Sequence, residues 1–366
     1  MERVIVTTGG TGGHIFPALA VAEEIRRRFP RAMLLFMGGR EGPEADLAVA
    51  AGLDFIGLPV RGVVGRGLRG LAAGFCMAKA IRTARGIIGK FRPQLVIGFG
   101  GYAAFAGMCA ARLAHVPVAL HEQNSVPGLA NRLAGRFAQR IFLSLPDSSG
   151  IFPAEKCRLA GNPVRADIAA LAAAGRGERH AGLAAGRPPR LLVVGGSLGA
   201  KALNDAVAAN LDVLAGLEIH HQTGKTLHEE VRAAYRAAKA DHALVEPFIT
   251  DMAWAYANAD LALCRAGAST LAELACAGLP AILVPYPFAA RDHQRHNAQA
   301  LVDRGAAVMM DQSEFAGEKA GVLADRILDL VSDPARLTQM SEAARAMALP
   351  QAAAAVVDGL EEMVKR

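Results

Sequence analysis

The stretch Ile5-Val-Thr-Thr-Gly-Gly-Thr-Gly-Gly-His14 decides the fold of the first part of the chain. The apolar run Val4–Val6 leads into a loop with four glycines, and an apolar helical pattern follows from Pro17 to Ile25. A strand, a glycine turn and a helix in this order predict the start of a parallel α/β sheet. Glycines let backbone N–H groups approach a ligand, and His14 adds a titratable side chain at the edge where such sheets bind ligands.

The spacing of this loop does not match two common nucleotide motifs. Ile15 stands where a dinucleotide-binding fingerprint has its third glycine, and the Gly-Lys-Ser/Thr ending of a P-loop is missing. The loop therefore predicts a ligand site of an α/β domain. A structural turn with an incidental histidine remains an open alternative.

Length and composition predict a folded protein of two domains. The chain has 366 residues, of which 52% are hydrophobic and 20% charged. A strand that begins at Val4 leaves no room for a signal peptide, and no apolar run predicts a transmembrane helix. Five widely spaced cysteines without a CxxC pair indicate reduced thiols in a cytoplasmic core and argue against a zinc site.

Strand-like runs alternate with helical patterns along the whole chain, which indicates parallel sheets covered by helices. Beyond the first strand, we predict strands at Met33–Met37, Leu95–Ile97, Val116–Leu120, Arg140–Leu143, Arg190–Val194, Glu218–Gln222, Leu261–Cys264, Ala281–Val284 and Ala306–Met309. The run Arg190-Leu-Leu-Val-Val-Gly-Gly-Ser-Leu-Gly-Ala repeats the opening pattern of strand and glycine turn. We therefore expect two Rossmann-like, doubly wound α/β domains that face a central cleft, joined near Gly161-Asn-Pro163, with a helical tail.

Basic residues are concentrated in one part of the first domain. Residues 55–146 hold twelve Lys or Arg and one acid, Glu122, while the net charge of the whole chain is +6. Within Arg61–Arg92 eight cations are mixed with apolar side chains, which suits an anionic membrane surface. Nucleic acid is a weaker candidate because aromatic residues are few and no nucleic-acid motif is present. The same pattern also fits an ordinary helix face exposed to water, and this alternative is not excluded by the sequence.

Polar loops follow several of the predicted strands. In the second half, Cys264-Arg-Ala-Gly-Ala-Ser-Thr-Leu-Ala-Glu273 begins a helix whose N–H groups could hold a diphosphate. Thr270 and Glu273 also fit a capping box, which needs no ligand. His293 and His296 are three residues apart, but they lack the further partners that a metal site needs.

Seven motifs, in order along nearly the whole chain, resemble the MurG family of N-acetylglucosaminyltransferases. They are GGTGGH at 9–14, GFGGY at 98–102, HEQN at 121–124, GNPVR at 161–165, GGSLGA at 195–200, RAGAST with Glu273 at 265–273, and DHQ with NA at 292–298. The resemblance implies a GT-B fold with an acceptor- and membrane-binding domain at 1–163 and a donor domain at 164–347. It also implies a C-terminal helix, at about 348–366, that packs back on the first domain.

The activity implied by the resemblance is an inverting, metal-independent transfer without a cofactor. GlcNAc would move from UDP-N-acetylglucosamine to the 4-hydroxyl of MurNAc in undecaprenyl-pyrophosphoryl-MurNAc-pentapeptide, which converts lipid I to lipid II in peptidoglycan synthesis. The enzyme would act as a peripheral protein at the cytoplasmic face of the bacterial inner membrane. Arg61–Arg92 would face the lipid.

The resemblance also assigns residues to roles. A base must take the proton of the acceptor hydroxyl; we expect it to be His14, with Glu122 as the rival. The acceptor diphosphate would lie at Gly100, Gly101 and Tyr102. The residues expected to bind UDP-GlcNAc are Thr11, Gly12, Gly13, Asn124, Arg165, Ser197, Ile249, Ala268, Ser269, Thr270, Leu271, Ala272, Glu273 and Gln294. Within that set, Ile249 would contact the uracil and Glu273 the ribose.

Three other functions remain alternatives at this stage. One is a GT-B enzyme with a different nucleotide sugar or lipid acceptor. Another is a nicotinamide-dependent oxidoreductase, against which both glycine turns argue by their spacing. The third is a membrane-bound sensor that binds the sugar nucleotide without catalysis.

Overall fold

The protein consists of two compact units in a computed structural model that describes residues 1–10, 12–60, 68–173, 179–196, 199–240 and 243–365. The side chains of residues 68–73 and 290 lie outside this description. Unit 1 comprises Met1–Arg165 and Gln351–Arg366, and unit 2 comprises Ala166–Pro350.

Unit 1 is built on a seven-stranded parallel sheet in the order β3-β2-β1-β4-β5-β6-β7. Its strands are β1 (Arg3–Thr7), β2 (Met33–Gly39), β3 (Asp54–Leu58), β4 (Leu95–Gly98), β5 (Val118–Glu122), β6 (Arg140–Leu143) and β7 (Cys157–Leu159). The inner strands are apolar on both faces because helices cover both sides of the sheet. Val6, for example, is 1% exposed and pairs with Phe36 on one side and Ile97 on the other.

Helices connect these strands and enclose the sheet. The helices of unit 1 before its last strand are α1 (Gly12–Arg28), α2 (Glu44–Ala50), α3 (Leu68–Phe91), α4 (Gly101–Leu113) and α5 (Leu129–Gly135). Arg26, Arg27 and Arg28 lie in the last turn of α1, where positive charge is favoured by the helix dipole.

Unit 2 repeats this architecture with a six-stranded parallel sheet in the order β10-β9-β8-β11-β12-β13. Its strands are β8 (Arg190–Val194), β9 (Glu218–Gln222), β10 (Leu244–Glu246), β11 (Leu261–Cys264), β12 (Ala281–Leu283) and β13 (Ala307–Met309). Its helices are α6 (Ala166–Ala170), α7 (Ala181–Ala184), α8 (Lys201–Ala208), α9 (His228–Ala237), α10 (Met252–Asn258), α11 (Ala268–Ala277), α12 (His293–Val302), α13 (Gly321–Val331) and α14 (Pro334–Ala346).

The last helix, α15 (Ala352–Lys365), belongs to unit 1 although it follows unit 2 in sequence. Its apolar face buries Val356, Val357 and Leu360 in the same cluster as residues of α1. Arg28 of α1 also forms an ion pair with Asp358. The packing of α15 therefore returns the end of the chain to unit 1.

The predicted α/β architecture is confirmed, and each predicted strand is present to within a few residues. Two boundaries differ by more than one residue: the strand expected at Val116–Leu120 is β5, Val118–Glu122, and the strand expected to end at Met37 extends to Gly39 in β2. Three strands, β3, β7 and β10, are absent from the prediction, and all three lie at sheet edges. Among the described residues, no helix is both long enough and apolar enough to cross a membrane.

Candidate functional site

The carboxyl ends of β1 and β4 carry the first two glycine loops of unit 1. These strands are neighbours in the sheet, and the connections from them run to opposite sides, which makes this the switch point of the fold. Open α/β sheets bind ligands at the carboxyl ends of strands beside such a point. The two loops are fastened to each other, because the Gly9 N–H donates to the Gly100 carbonyl at 3.1 Å.

Only glycine fits where these two loops meet. Gly100 and Gly101 have φ of 105° and 83°, in the region that side chains rarely adopt. A Cβ at Gly101 would lie 2.3 Å from the carbonyl oxygen of Gly9. The GFGGY motif is therefore explained first by the close approach of two backbones.

His14 lies in the first turn of α1 with its ring over the second glycine loop. A Cβ at Gly100 would lie 3.0 Å from His14 Cδ2 and 3.1 Å from Nε2. The side chain is half-buried, so it is held by its surroundings and still reaches solvent. Its place at the carboxyl edge of β1 agrees with the location expected for a proton acceptor. Its catalytic role stays a prediction.

The HEQN segment, residues 121–124, begins with the last two residues of β5 and is held at the same carboxyl edge of the sheet. His121 is fully buried, stacks on Phe99 with ring centroids 5.2 Å apart, and has Nε2 3.1 Å from the Gly161 carbonyl. Gln123 donates from Nε2 to the Phe99 carbonyl at 3.0 Å, which ties this segment to the loop after β4. Burial lowers the pKa of His121 to about 4.

Glu122 points into the protein. Its side chain is 1% exposed and accepts hydrogen bonds from the Asn124 backbone at 2.9 Å and from Asn131 Nδ2 at 2.8 Å. Burial raises the pKa of Glu122, and the bonds from Asn124 and Asn131 oppose that shift. This geometry favours a role in holding the loop over one in which a substrate hydroxyl contacts the carboxyl.

Asn131 is a site residue that sequence reasoning missed. It is 3% exposed in α5, and a Cβ at Gly100 would lie 3.4 Å from its Nδ2. It therefore lies beside both Glu122 and the loop on which His14 packs. In the sequence it stands between Ala130 and Arg132, and no motif marks it.

In unit 2 the glycine turn after β8 is fastened by Gln222, the last residue of β9, and by Thr223, which follows it. A Cβ at Gly199, whose φ is 77°, would lie 2.0 Å from the Thr223 carbonyl oxygen. Gln222 is 3% exposed and uses both ends of its amide. It donates to the Gly196 carbonyl at 3.0 Å and accepts from the Ile249 N–H at 2.9 Å, so that one side chain joins the turn to the segment expected at the uracil.

The helix α11 begins at the carboxyl end of β11 with Gly267 as its N-cap. Thr270 lies inside the first turn, so the capping-box interpretation of Thr270 and Glu273 is wrong. Glu273 instead accepts a hydrogen bond from the Tyr256 hydroxyl at 2.8 Å, which fixes the direction of its carboxyl group. Except for the buried Leu271, the predicted donor residues in this helix, Ala268, Ser269, Thr270, Ala272 and Glu273, are half-buried.

The segment before α12 has a strained backbone. Arg291 and Asp292 have φ of 56° and 53°, a conformation that costs non-glycine residues energy and tends to persist at functional sites. Gln294, two residues after Asp292, accepts from the Tyr286 N–H at 2.8 Å. Among the residues that the structure describes, no cluster of three or more His, Cys, Asp or Glu could hold a metal ion.

The remaining predicted residues are distributed over both units. Arg165, the last residue of the main part of unit 1, lies with its guanidinium 5.7 Å from the centre of the Phe16 ring. Tyr102 lies in the first turn of α4 and is 36% exposed. Thr11, Ser197 and the stretch 61–67 of the predicted membrane segment lie outside the described residues.

Two family models match the chain, one for each of its two sheets. The glycosyltransferase family 28 N-terminal domain matches residues 4–143, and the glycosyltransferase family 28 C-terminal domain matches residues 190–356. Together they span most of both sheets.

Curated relatives match over the full length. A protein of Nitratidesulfovibrio vulgaris is 58% identical, with 100% of this chain and 98% of the relative covered. A protein of Solidesulfovibrio magneticus is 51% identical, with coverages of 96% and 95%. Both are named UDP-N-acetylglucosamine–N-acetylmuramyl-(pentapeptide) pyrophosphoryl-undecaprenol N-acetylglucosamine transferase.

Solved structures of other proteins have the same fold as this chain. The crystal structure of MurG from Acinetobacter baumannii is 35% identical and superposes with a TM-score of 0.77, covering 99% of this chain and 100% of that one. A UDP-GlcNAc 2-epimerase from Neisseria meningitidis covers 99% of this chain and 100% of its own, with 14% identity and a TM-score of 0.67. At that identity the second likeness shows the fold alone.

The buried His121 predicts a loss of stability in mild acid. Its folded pKa of about 4 lies below the value of about 6.5 for an unfolded histidine, so the unfolded chain binds the extra proton between these pH values. Stability should therefore fall as pH drops from about 6.5 towards 4. In His121→Gln, the midpoint of urea unfolding should depend less steeply on pH across this range.

The matched control is His115→Gln, which changes an exposed histidine of the same unit. It should keep the wild-type pH dependence. An unchanged dependence in His121→Gln would mean that this histidine is not held neutral by its burial.

Proposed function

Because the chain belongs to the MurG family within glycosyltransferase family 28, we propose that it is an inverting N-acetylglucosaminyltransferase of peptidoglycan synthesis. It moves GlcNAc from UDP-GlcNAc to the 4-hydroxyl of MurNAc in undecaprenyl-pyrophosphoryl-MurNAc-pentapeptide, converting lipid I to lipid II. The observation that carries this proposal is the full-length identity of 58% to a relative that bears the name of this activity.

We further propose that the two units divide the substrates between them. Unit 2 binds most of UDP-GlcNAc, and unit 1 binds the lipid acceptor and supplies the proton acceptor. This division is supported by the two switch points, because each sheet offers glycine loops at its own carboxyl edge. Neither glycine turn has the dinucleotide fingerprint, which agrees with a substrate other than a nicotinamide cofactor.

The reaction is a single displacement at C1 of the GlcNAc ring. The 4-hydroxyl oxygen of MurNAc forms the new bond to C1 while its proton passes to a base. The bond between C1 and the diphosphate oxygen breaks, and its electron pair leaves with UDP. Attack and departure on opposite faces invert the anomeric configuration.

We propose His14 as the base. It is half-buried at the carboxyl edge of β1, and its ring lies beside Gly100, where the two glycine loops approach each other. An imidazole suits proton transfer near neutral pH. Glu122 is a poorer candidate, because a carboxyl that is 1% exposed and already accepts from Asn124 and Asn131 does not meet a substrate hydroxyl.

The charge that develops on UDP needs hydrogen-bond donors that are already in place. The N-terminus of α11, with Ala268, Ser269 and Thr270, presents such N–H groups after β11. We propose that these groups, together with Ser197 of the glycine turn and Arg165, hold the diphosphate.

The nucleoside is assigned to segments at the carboxyl edge of the unit 2 sheet. The Glu273 carboxyl, oriented by Tyr256, would accept from the ribose hydroxyls. The N–H of Ile249 already donates to Gln222, so uracil would meet other atoms of the Ile249 segment. The remaining predicted donor contacts are Thr11, Gly12, Gly13, Asn124, Leu271, Ala272 and Gln294.

The acceptor diphosphate is assigned to the loop after β4. Gly100 and Gly101 bring backbone close to the edge of the sheet, and α4 begins there with its positive end. The partly exposed Tyr102 lies in the same turn. These features support an anionic group beside His14.

Replacing His14 by Ala tests the assignment of the base. A positioned base contributes about 10²–10⁴-fold, so kcat for transfer of labelled GlcNAc from UDP-GlcNAc to a short-chain lipid I analogue should fall by roughly that factor. Binding of UDP-GlcNAc, measured by calorimetry, should change little because its contacts lie mainly in unit 2.

His115→Ala provides the matched control, since it removes an exposed histidine from the same unit. It should retain wild-type turnover. Undiminished turnover in His14→Ala would contradict the assignment, and a much larger loss in Glu122→Gln at unchanged stability would favour Glu122.

We also propose that α3 contacts the anionic inner face of the bacterial membrane, which would place the enzyme there as a peripheral protein. Phe75 is 75% exposed, and Lys79 and Arg82 follow it four and seven residues later, on the same face of the helix. An exposed aromatic ring beside cations suits the interface of a charged bilayer. The exposed Lys90 continues the basic character towards the end of the helix.

The double variant Lys79→Ala and Arg82→Ala should weaken binding to vesicles that contain phosphatidylglycerol. Each cation contributes about 1 kcal/mol, so the pair predicts a roughly 30-fold loss in partitioning, measured by co-sedimentation. The control replaces the exposed Arg232 and Arg236 of α9 by Ala and should bind as the wild type does. Equal losses in both variants would contradict a membrane contact through α3.

A further inference from the structure

A buried carboxyl group lies beneath the first glycine loop and has no role in the reaction as described. Glu44, the first residue of α2, is 2% exposed. Its Oε1 accepts a hydrogen bond from the Gly10 N–H at 2.9 Å. Gly10 is four residues before His14, and a Cβ at Gly10 would lie 3.9 Å from His14 Nδ1. The carboxyl therefore acts on the part of the loop that the His14 ring approaches.

Glycines leave the space that the Glu44 side chain fills. Its Oε2 is also buried and has no hydrogen-bond partner among the described residues. A Cβ at Gly38 would lie 2.9 Å from the Cβ of Glu44, and a Cβ at Gly42 would lie 1.7 Å from Oε2. Burying a carboxyl oxygen without a partner is costly, so the group needs a compensating role.

The hydrogen bond also changes what the first loop offers to a ligand. Gly10 has φ of 102°, and its N–H points to Glu44 inside the protein. The loop is therefore not a simple ring of outward N–H groups for an anion. One donor is used to fix the backbone at Gly10, two residues before α1 begins, and the direction in which α1 starts decides where His14 lies.

We propose that Glu44 is a positioning residue for the transfer: it holds the Gly9–Gly10 turn, and through this turn the His14 imidazole, in the geometry that the reaction uses. The proposal rests on the role of His14 given under the proposed function. Glu44 does not touch substrate, because both of its oxygens are buried.

Three variants separate this role from a general effect on folding. Glu44→Ala removes the acceptor of the Gly10 N–H, and Glu44→Gln keeps an acceptor oxygen while removing the charge. Asp46→Ala is the control, because Asp46 is an exposed acid in the same first turn of α2 and has the same relation to the helix dipole. Kinetics use the full chain, UDP-GlcNAc and the lipid I analogue.

We expect Glu44→Ala to lower kcat by about 10- to 100-fold, since a small misplacement of a catalytic group has effects of this order. KM for UDP-GlcNAc should stay near the wild-type value. Glu44→Gln should recover most of the lost turnover, and Asp46→Ala should match the wild type. Amide hydrogen exchange in residues 9–14 should be faster in Glu44→Ala than in Asp46→Ala.

Either of two results would overturn the proposal. In the first, Glu44→Ala and Asp46→Ala have equal kcat; in the second, Glu44→Gln is as slow as Glu44→Ala. If the wild type transferred no GlcNAc, the proposed function would fail instead. Exchange in residues 9–14 would then still decide whether Glu44 holds the loop, since faster exchange in Glu44→Ala supports the hold and unchanged exchange removes it.

Discussion

The arrangement of the site in unit 1 depends on the close approach of two backbone loops, those that follow β1 and β4. Pairing of these strands brings the loops together, and the bond from the Gly9 N–H to the Gly100 carbonyl fastens them. A side chain at Gly101 would collide with the Gly9 carbonyl, so the approach exists only because that position is glycine. His14, the HEQN segment and Asn131 all take their places around this contact. The packing of the two backbones therefore explains why these positions are glycine, whether or not a ligand is bound.

Unit 2 reaches a similar result with different side chains. Its glycine turn is held against Thr223, and the Gln222 amide joins the turn to Ile249. In unit 1 a buried carboxyl, Glu44, restrains the corresponding turn. In both units a polar side chain from a neighbouring connection or strand forms a hydrogen bond to the backbone of the glycine turn and restrains it. Such support fixes binding groups before the substrate arrives, which lowers the entropic cost of the reaction.

The sequence predicts the interior of both sheets well and their edges poorly. Inner strands are buried on both faces and are read as short apolar runs, as in β1 and β8. The three missed strands lie at edges and are short or half-exposed; β3 alternates exposed and partly buried residues, and no residue of β10 is fully buried. The motifs likewise predict which loops share an edge. Glu44 and Asn131 could not be predicted, because a single polar residue in an amphipathic segment becomes meaningful only when the fold places it beside a distant loop.

The configuration of the product tests most directly whether the transfer is a single displacement, in which a base on unit 1 removes the acceptor proton and no metal is needed. The measurement is the anomeric configuration of the disaccharide formed by the wild-type protein from α-linked UDP-GlcNAc and a lipid I analogue in the presence of EDTA, determined by NMR. A single displacement without a metal predicts GlcNAc joined to the 4-hydroxyl of MurNAc through a β-linkage. An α-linkage, or no product until a divalent metal is restored, would contradict it.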